Sequence, residues 1–252
     1  MKKWISTILC AALGTVLLCG CGVSLEGDES VVYVDKKGIV YSLDVEALDE
    51  DFYDETELEA FVDEAVEAYT SEHEKGSVKM EELTAEDGVA KLKMRYETAQ
   101  DYTDFNGIEM YQGEVVASLA AGYVYDGAFA RVENGKVTGS ATKQEIYADE
   151  DLKVVIIRAN TDVKVDGEIR YVSCENVKLT GADSVSIRNG YYLDAGPAAA
   201  AETMVPGTES LAEESAGTEQ AGSDGNGQTG AGSEASGSSS FETDVYTFII
   251  YK

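Results

Sequence analysis

The side chains that could do chemistry in this chain are mostly carboxylates. Its 252 residues include 48 aspartates and glutamates, 19 lysines and arginines, and one histidine, His73. A single histidine excludes a His-Glu-x-x-His metal site, and we expect neither a Ser-His-Asp triad nor a histidine-based zinc site. His73 ends a helical pattern, and because a partial positive charge is favourable at a helix C-terminus, we interpret it as a capping residue.

Paired carboxylates are the remaining route to catalysis, since most glycoside hydrolases place two acids beside the scissile bond. Residues 49–51 and 149–151 each read Asp-Glu-Asp and could hold Ca²⁺ weakly. With 48 acids such groupings arise by chance, so we interpret them as solvated loops. Ser140 and Lys143 match the Ser-x-x-Lys of penicillin-recognising serine enzymes, but the helix start and the partner segments that this motif needs are missing.

The charge of the chain argues against a polyanionic partner. The formal net charge is -29 at pH 7. A surface of this sign repels phosphate backbones and anionic lipid, so the sequence predicts no nucleic-acid partner. Neither a Gly-x-x-x-x-Gly-Lys-Ser/Thr phosphate loop nor a dinucleotide fingerprint is present. We therefore expect no cofactor and no metal site, and we favour a chain without catalytic activity.

The N-terminal residues predict a signal peptide. Lys2 and Lys3 precede an apolar run, residues 4–19, that is too short to span a bilayer as a mature helix. The run ends in Leu-Cys-Gly-Cys at residues 18–21, which resembles the lipobox of bacterial lipoproteins. The resemblance implies that residues 1–20 are cleaved off after a diacylglyceryl group has been attached to the sulfur of Cys21.

This resemblance implies a mature protein anchored at the extracytoplasmic face of the cell membrane. Two acyl chains such as palmitate, at about 0.8 kcal/mol per buried methylene, anchor a protein stably where one chain does not. Residues 21–30 then form a polar tether. Cysteine usage agrees, because Cys10 and Cys19 leave with the leader and Cys21 takes the lipid. Cys174, in a strand-like stretch, remains as a small core residue.

The elements that would position these residues begin with one long helix, residues 54–73. Its apolar side chains recur at helical spacing and form one stripe, while acids occupy the opposite side. Asp54 and Glu57 have the spacing of a capping pair at its first turn. The stripe that we expect to pack on a sheet consists of Leu58, Phe61, Val62, Ala65, Val66 and Tyr69.

Hairpins flank this helix, with turns at residues 35–38 and 86–88. Two short helices follow at 98–105 and 113–121. After residue 123 the apolar period changes to two, which is typical of strands. We therefore predict an α+β domain over residues 31–194, an antiparallel sheet covered by one long and two short helices. The strands of its β-rich second half are a hairpin around Asn134-Gly135 and residues 154–157, 163–165, 169–173, 177–179 and 185–187.

Residues 195–240 differ in kind from the rest. Gly, Ser, Ala, Glu and Thr dominate them, so they cannot bury enough apolar surface to offset chain entropy, and we predict disorder. Residues 241–252 end in an apolar run that would be an aggregation hazard if it were exposed. We predict that this run returns to the domain as a strand beside residues 154–157.

A second resemblance rests on the hairpin-helix-hairpin order and on residues 101–123, DYTDFNGIEMYQGEVVASLAAGY. On these features the mature chain is similar to uncharacterised acidic lipoproteins of anaerobic Gram-positive bacteria. The resemblance implies the fold and the envelope location, and it carries no activity.

These observations lead to one functional expectation and two alternatives. We expect a lipid-anchored, non-catalytic binding or accessory module of the cell envelope, whose partner is an envelope protein or a glycan. The first alternative is an envelope hydrolase that acts on glycan through paired carboxylates. The second is an accessory subunit of a membrane sensor or transporter. A pocket with two convergent acids of raised pKa would indicate the hydrolase, whereas a flat apolar patch would indicate the binding module.

Overall fold

A computed structural model describes residues 25–48, 55–196 and 245–252 of the chain. These residues form, in chain order, β1 (Val31–Val34), β2 (Val40–Ala47), α1 (Glu55–Glu72), β3 (Val78–Glu86), β4 (Val89–Tyr96), α2 (Ala99–Asn106), β5 (Met110–Glu114), α3 (Val115–Ala120), β6 (Phe129–Glu133), β7 (Lys136–Ala141), α4 (Lys143–Ala148), β8 (Lys153–Ile157), β9 (Asp162–Val165), β10 (Ile169–Ser173), β11 (Glu175–Leu179), β12 (Ser184–Tyr192) and β13 (Thr247–Tyr251).

The strands form two sheets. Sheet A has seven strands in the order β11-β12-β9-β1-β2-β4-β3, and sheet B has six in the order β5-β8-β13-β10-β6-β7. Neighbouring strands are antiparallel except β1 and β9, which run parallel with Val32 opposite Val163. The predicted α+β class is confirmed, but the single antiparallel sheet of the prediction is two sheets.

Sheet B is covered on both faces, by sheet A on one face and by short helices on the other. Val155 and Ile157 of β8 pack into the core between the sheets, whereas Val154 and Ile156 pack under α3 and α4 on the outer face of sheet B. All four side chains are 0% exposed. A strand with an unbroken apolar run requires cover on both sides, and here a sheet covers one side and short helices the other.

The hairpins lie where the turn residues predict them. Asp35 closes the β1–β2 turn by accepting hydrogen bonds from the amides of Lys37 and Ile39, at 2.8 and 2.9 Å. Gly38 follows with φ +88°, a conformation that favours glycine. The β3–β4 and β6–β7 hairpins also match the predicted positions. Local turn chemistry therefore sets these pairings.

The C-terminal strand is in the predicted place. β13 pairs with β8, with Phe248 opposite Ile156, and on its other edge it pairs with β10. Every residue from Thr247 to Tyr251 is buried. The prediction that residues 154–157 receive this strand is confirmed.

The long helix forms as predicted, but its apolar stripe is narrower. α1 packs on β3, and Val62, Val66 and Tyr69 are half-buried against the core. Phe61 is instead 71% exposed, and no residue of α1 is buried. The helix lies near the edge of sheet A, so only one side of the predicted stripe reaches other residues.

Two elements were not predicted. β5 is a short edge strand whose sequence, Met-Tyr-Gln-Gly-Glu, has no clear alternation. α4 begins at Lys143, where Thr142 and Glu145 form a capping box. The prediction that no helix starts at the Ser-x-x-Lys segment was therefore wrong, because Thr142 supplies the cap. Ser140 nevertheless lies in β7, outside that helix.

Several predicted features lie outside the described residues. These are the signal peptide, Cys21, Asp54, the acidic run 49–51 and residues 197–240 of the segment predicted to be disordered. Residues 25–30 of the predicted tether lie against sheet A, where Leu25 is 8% exposed. Ala195, assigned to the disordered segment, is also 8% exposed and belongs to the core. None of the described helices is long and apolar enough to cross a membrane.

Candidate functional site

The carboxylate of Asp44 lies partly inside the domain. Asp44 is on the face of β2 that carries the core residue Val40, and it is partly buried. The Oγ of Ser42 donates a hydrogen bond to its Oδ2 at 2.7 Å. Burial raises the pKa of Asp44 above its ordinary value, the bond from Ser42 opposes this, and the charge of Glu46 adds to it. The surroundings of Asp44 therefore favour the neutral form of its carboxyl group more than water does.

Asp44 does not form the acid pair of a glycosidase. Glu46, two residues along β2, shares its face, but it is exposed at the end of the strand. The other polar groups near Asp44 are phenols, those of Tyr96 and Tyr102, whose pKa values are raised mainly by burial. The arrangement provides one enclosed acid, whereas glycoside hydrolysis requires two.

The acidic run 149–151 is held by an internal cation. Nζ of Lys252 lies 3.2 Å from Oδ1 of Asp149 and 3.1 Å from Oδ2 of Asp151. The amide of Asp151 and then Lys252 hold the pKa of Asp149 below its usual range. Asp149 and Lys252 border a cleft of about 360 Å³ that Arg131 and Arg170 also line. Lys252 therefore offsets one of the three negative charges of this run, and its ammonium group already contacts both aspartates.

A second concavity lies at the end of strands β2, β4 and β3. It is an open groove of about 720 Å³ lined by Asp28, Val45, Glu86, Asp87 and Lys91, among others. The hydrogen bond and the charge of Lys91 hold the pKa of Asp28 below its ordinary value. Asp28 is therefore a fixed anion and not a proton donor.

The other residues singled out in the sequence have structural roles. Nδ1 of His73 donates to the carbonyl oxygen of Tyr69 at 2.9 Å, and the two rings stack at 3.8 Å, as expected for a helix cap. Cys174 is 1% exposed, and burial raises the pKa of its thiol. Lys143 pairs with Asp126 at 2.8 Å. Within the described parts of the chain, no group of three or more His, Cys, Asp or Glu side chains could hold a metal ion.

An exposed apolar surface on α3 is the feature that the sequence did not single out. Val116 is 53% exposed, Leu119 38% and Val124 63%. Val116, Leu119 and Ala120 fall at i, i+3 and i+4, so they share one side of the helix. We call Val116, Leu119, Ala120, Ala121 and Val124, all of which are exposed, the α3 surface.

The opposite side of α3 anchors it to sheet B. Val115 and Ser118 are buried, and the hydroxyl groups of Ser118 and Tyr125 are 2.8 Å apart. The chain after the helix folds back, since the amide of Tyr123 donates to the carbonyl oxygen of Ser118 at 3.1 Å. This return keeps Val124 near the C-terminal end of α3. The apolar side chains are thus held on a fixed support.

A row of tyrosines adjoins the α3 surface. The rings of Tyr111 and Tyr123 are 5.1 Å apart, and those of Tyr123 and Tyr246 are 5.7 Å apart. All three are partly exposed. Gly113 makes room for this row, because a Cβ at that position would lie 2.6 Å from the phenol oxygen of Tyr111. Tyrosine is among the residues that are enriched at protein interfaces and at their binding hot spots.

The sequence contained a signal for this surface. Residues 115–125 include no charged residue, although 27% of the chain is charged. The prediction treated this run as a packing helix, since apolar residues at helical spacing do not reveal which of them a neighbour covers. Only the exposure of each side chain in the structure distinguishes the buried Val115 from the exposed Val116.

Comparison with known proteins gives no further guide to the site. No protein-family model, no curated protein and no solved structure matches this chain.

Proposed function

We propose that this protein is a lipid-anchored, non-catalytic binding module of the cell envelope, and that the α3 surface is where it binds an envelope protein. The anchor is the lipid on Cys21. The observation that carries the proposal is an exposed, uncharged apolar surface on a chain of formal charge -29. Contiguous exposed apolar residues on a soluble domain mark interaction sites more often than isolated ones do.

The makeup of the surface favours a protein partner. Burying Val116, Leu119 and Val124 would remove apolar area from water, and the tyrosine row adds side chains that often dominate binding energy. The acidic residues Glu114 and Asp126 flank the uncharged run in the sequence. The enclosed acid Asp44 lies on sheet A, on the far side of sheet B from this surface, so the two features belong to different sites.

Affinity capture from cell envelopes tests the proposal with matched variants. The bait is the mature domain, with Cys21→Ala to keep it free of lipid. Val116→Asp and Leu119→Asp each place a charge on the α3 surface, and Phe61→Asp places a charge at another strongly exposed apolar position, on α1. We expect a partner that is retained by the parent protein and by Phe61→Asp, and that falls at least tenfold, or about 1.4 kcal/mol, with either α3 variant.

Two further arms decide the class of partner. Treating the envelopes with protease before capture should remove the bound material, because the partner is a protein. Retention of purified cell-wall glycan by the parent domain, lost with Leu119→Asp, would overturn the protein partner in favour of a glycan. Equal capture by all three variants would show that the α3 surface does not bind. Thermal unfolding of the variants should shift little, since exposed substitutions change stability by about 0.5 kcal/mol or less.

A further inference from the structure

We propose that the lipid on Cys21 holds the domain with the outer face of sheet A against the bilayer, so that the α3 surface points away from the membrane. The inference rests on the lipid anchor of the proposed function. Its consequence is that the α3 surface takes a partner outside the bilayer and not a membrane-embedded one. Three observations lead to it.

The first observation is the position of residues 25–30. Leu25 is 8% exposed and shares a small cleft with Tyr41 and Lys93 of sheet A. Nζ of Lys91 binds the carbonyl oxygen of Gly27 at 2.8 Å and Oδ1 of Asp28 at 2.8 Å. Residues 25–30 therefore lie on the strands themselves and are not a free tether.

The second observation is the short distance to the anchor. Four residue steps separate Cys21 from Leu25, and a fully extended chain spans at most about 3.6 Å per residue, so about 14 Å. The side of the domain that carries Leu25 must then lie within about 14 Å of the lipid-bearing sulfur. That side is the outer face of sheet A, because Tyr41 and Lys93 alternate with the core-facing residues Val40 and Met94.

The third observation is the position of the α3 surface. Sheet A and sheet B pack face to face through one core, and α3 packs on the opposite face of sheet B. Packed sheets are about 10 Å apart, so the helix layer lies roughly 20 Å beyond the strands of sheet A. A domain held at its sheet A side cannot bring α3 to the same bilayer without turning over.

The outer face of sheet A is also suited to a headgroup layer. From β12 to β3 its outward strand positions carry six bases and four acids, although the chain as a whole carries a formal charge of -29. The bases are Lys79, Lys91, Lys93, Arg95, Lys164 and Arg188, and the acids are Glu81, Glu82, Glu86 and Asp162. Residues 25–30, which lie on this face, add the acids Glu26, Asp28 and Glu29, so the face carries seven acids and six bases. Asp28 pairs with Lys91 and Glu29 with Arg188.

These pairs leave the bases able to exchange partners. Asp28 is 97% exposed and Glu29 74% exposed, so the pairs are surface ion pairs, which contribute about 0–1 kcal/mol. A lipid phosphate can replace such a carboxylate at little cost. The charges of this face are therefore close to balanced, so it repels anionic lipid less than the net charge of -29 would predict.

Depth-dependent quenching of a fluorophore tests the orientation. The lipid-modified protein is reconstituted into vesicles of phosphatidylcholine and phosphatidylglycerol that carry a quencher on the lipid headgroup. One variant has the label at Ser186→Cys, on the outer face of sheet A, and the other at Ala120→Cys, on the α3 surface. Cys174 is 1% exposed and should not react with the dye.

We expect quenching at residue 186 to exceed quenching at residue 120 by at least threefold. Equal quenching at the two sites, or stronger quenching at residue 120, would overturn the inference. Inserting fifteen Gly and Ser residues after Val23 should remove the difference, and a difference that survives the insertion would contradict the tether argument. Protein that fails to sediment with the vesicles at all would instead contradict the lipid anchor, so the two failures are distinguishable.

Discussion

Val155 of β8 lies directly opposite Ile249 of β13, and both side chains are 0% exposed at the centre of the core. The two residues are far apart in the sequence, and residues 197–244 separate β13 from the rest of the domain. β13 also pairs with β10, so it joins the two halves of sheet B. The final strand is therefore part of the folding unit.

Truncation after Ser240 should prevent folding. It removes Phe248, Ile249, Ile250 and Tyr251, all of them buried, and each such side chain contributes about 1.5–3 kcal/mol. The sum is comparable with the whole stability of a typical domain, about 5–15 kcal/mol. Circular dichroism should show no cooperative melting transition, or the protein should aggregate.

A matched deletion inside the preceding segment serves as the control. Removal of residues 205–236 leaves β13 in place and shortens the loop, which should alter stability by only about 1 kcal/mol. A truncated protein that melts cooperatively at the temperature of the full-length protein would show that β13 is not needed for the fold.

Asp44→Asn should stabilise the domain at pH 7, by about 1 kcal/mol, the usual size of a single-substitution effect. The folded-state pKa of Asp44 is raised, mainly by burial, so the folded protein binds a proton more readily than the unfolded chain. The stability of the parent protein should therefore fall as pH rises from the ordinary carboxyl pKa through the raised one. The stabilisation of Asp44→Asn relative to the parent protein should shrink as the pH falls through that same window.

Urea unfolding of the parent and of Asp44→Asn at a series of pH values checks this. Asp63→Asn, on the exposed side of α1, is the control and should leave the pH dependence unchanged. A destabilised Asp44→Asn protein at pH 7 would show that the ionised carboxylate is favourable in the fold.

Cys21→Ala should release the protein from the membrane or block removal of the signal peptide. The expectation comes from the spacing of residues 18–21 after the apolar run. Detergent phase partitioning of whole-cell extract measures it. Partitioning identical to that of the parent protein would contradict lipid attachment at Cys21.

Cys174 should be unreactive in the native protein. Its side chain is 1% exposed, and burial raises the pKa of the thiol, which disfavours the reactive thiolate. In the Cys21→Ala domain, a thiol reagent should label no cysteine without denaturant and one cysteine in its presence. Rapid labelling of the native domain would show that the core around Cys174 opens readily.

Features with local causes could be predicted from the sequence. Asp35 and Gly38 specify a turn by themselves, and Thr98 specifies a helix start, since its side chain accepts a hydrogen bond from the amide of Asp101. The pairing of β13 with β8 was predictable because each is an apolar run that only a buried neighbour can cover. In such cases the residues that decide the structure lie in the segment itself or in an apolar run of matching length.

Features that depend on contacts between residues far apart in the sequence could not be predicted. The parallel pairing of β1 with β9, Val32 opposite Val163, joins residues far apart in sequence and has no local signature. The division of the strands into two sheets also depends on pairing between distant segments and has no local signature. Phe61 and Val116 match the apolar spacing of their helices and are exposed, since none of the residues that the structure describes covers them. The α3 surface was missed for this reason, although its lack of charge was visible.

Photo-crosslinking from the α3 surface in intact cells is the most direct test of the proposed function. A photoreactive amino acid replaces Leu119 in the full-length protein, and the same amino acid replaces Phe61 on α1 as the control. We predict one or a few crosslinked protein bands of defined mass from position 119 and none of these from position 61. No crosslink from position 119, or the same bands from both positions, would contradict the proposal that the α3 surface binds an envelope protein.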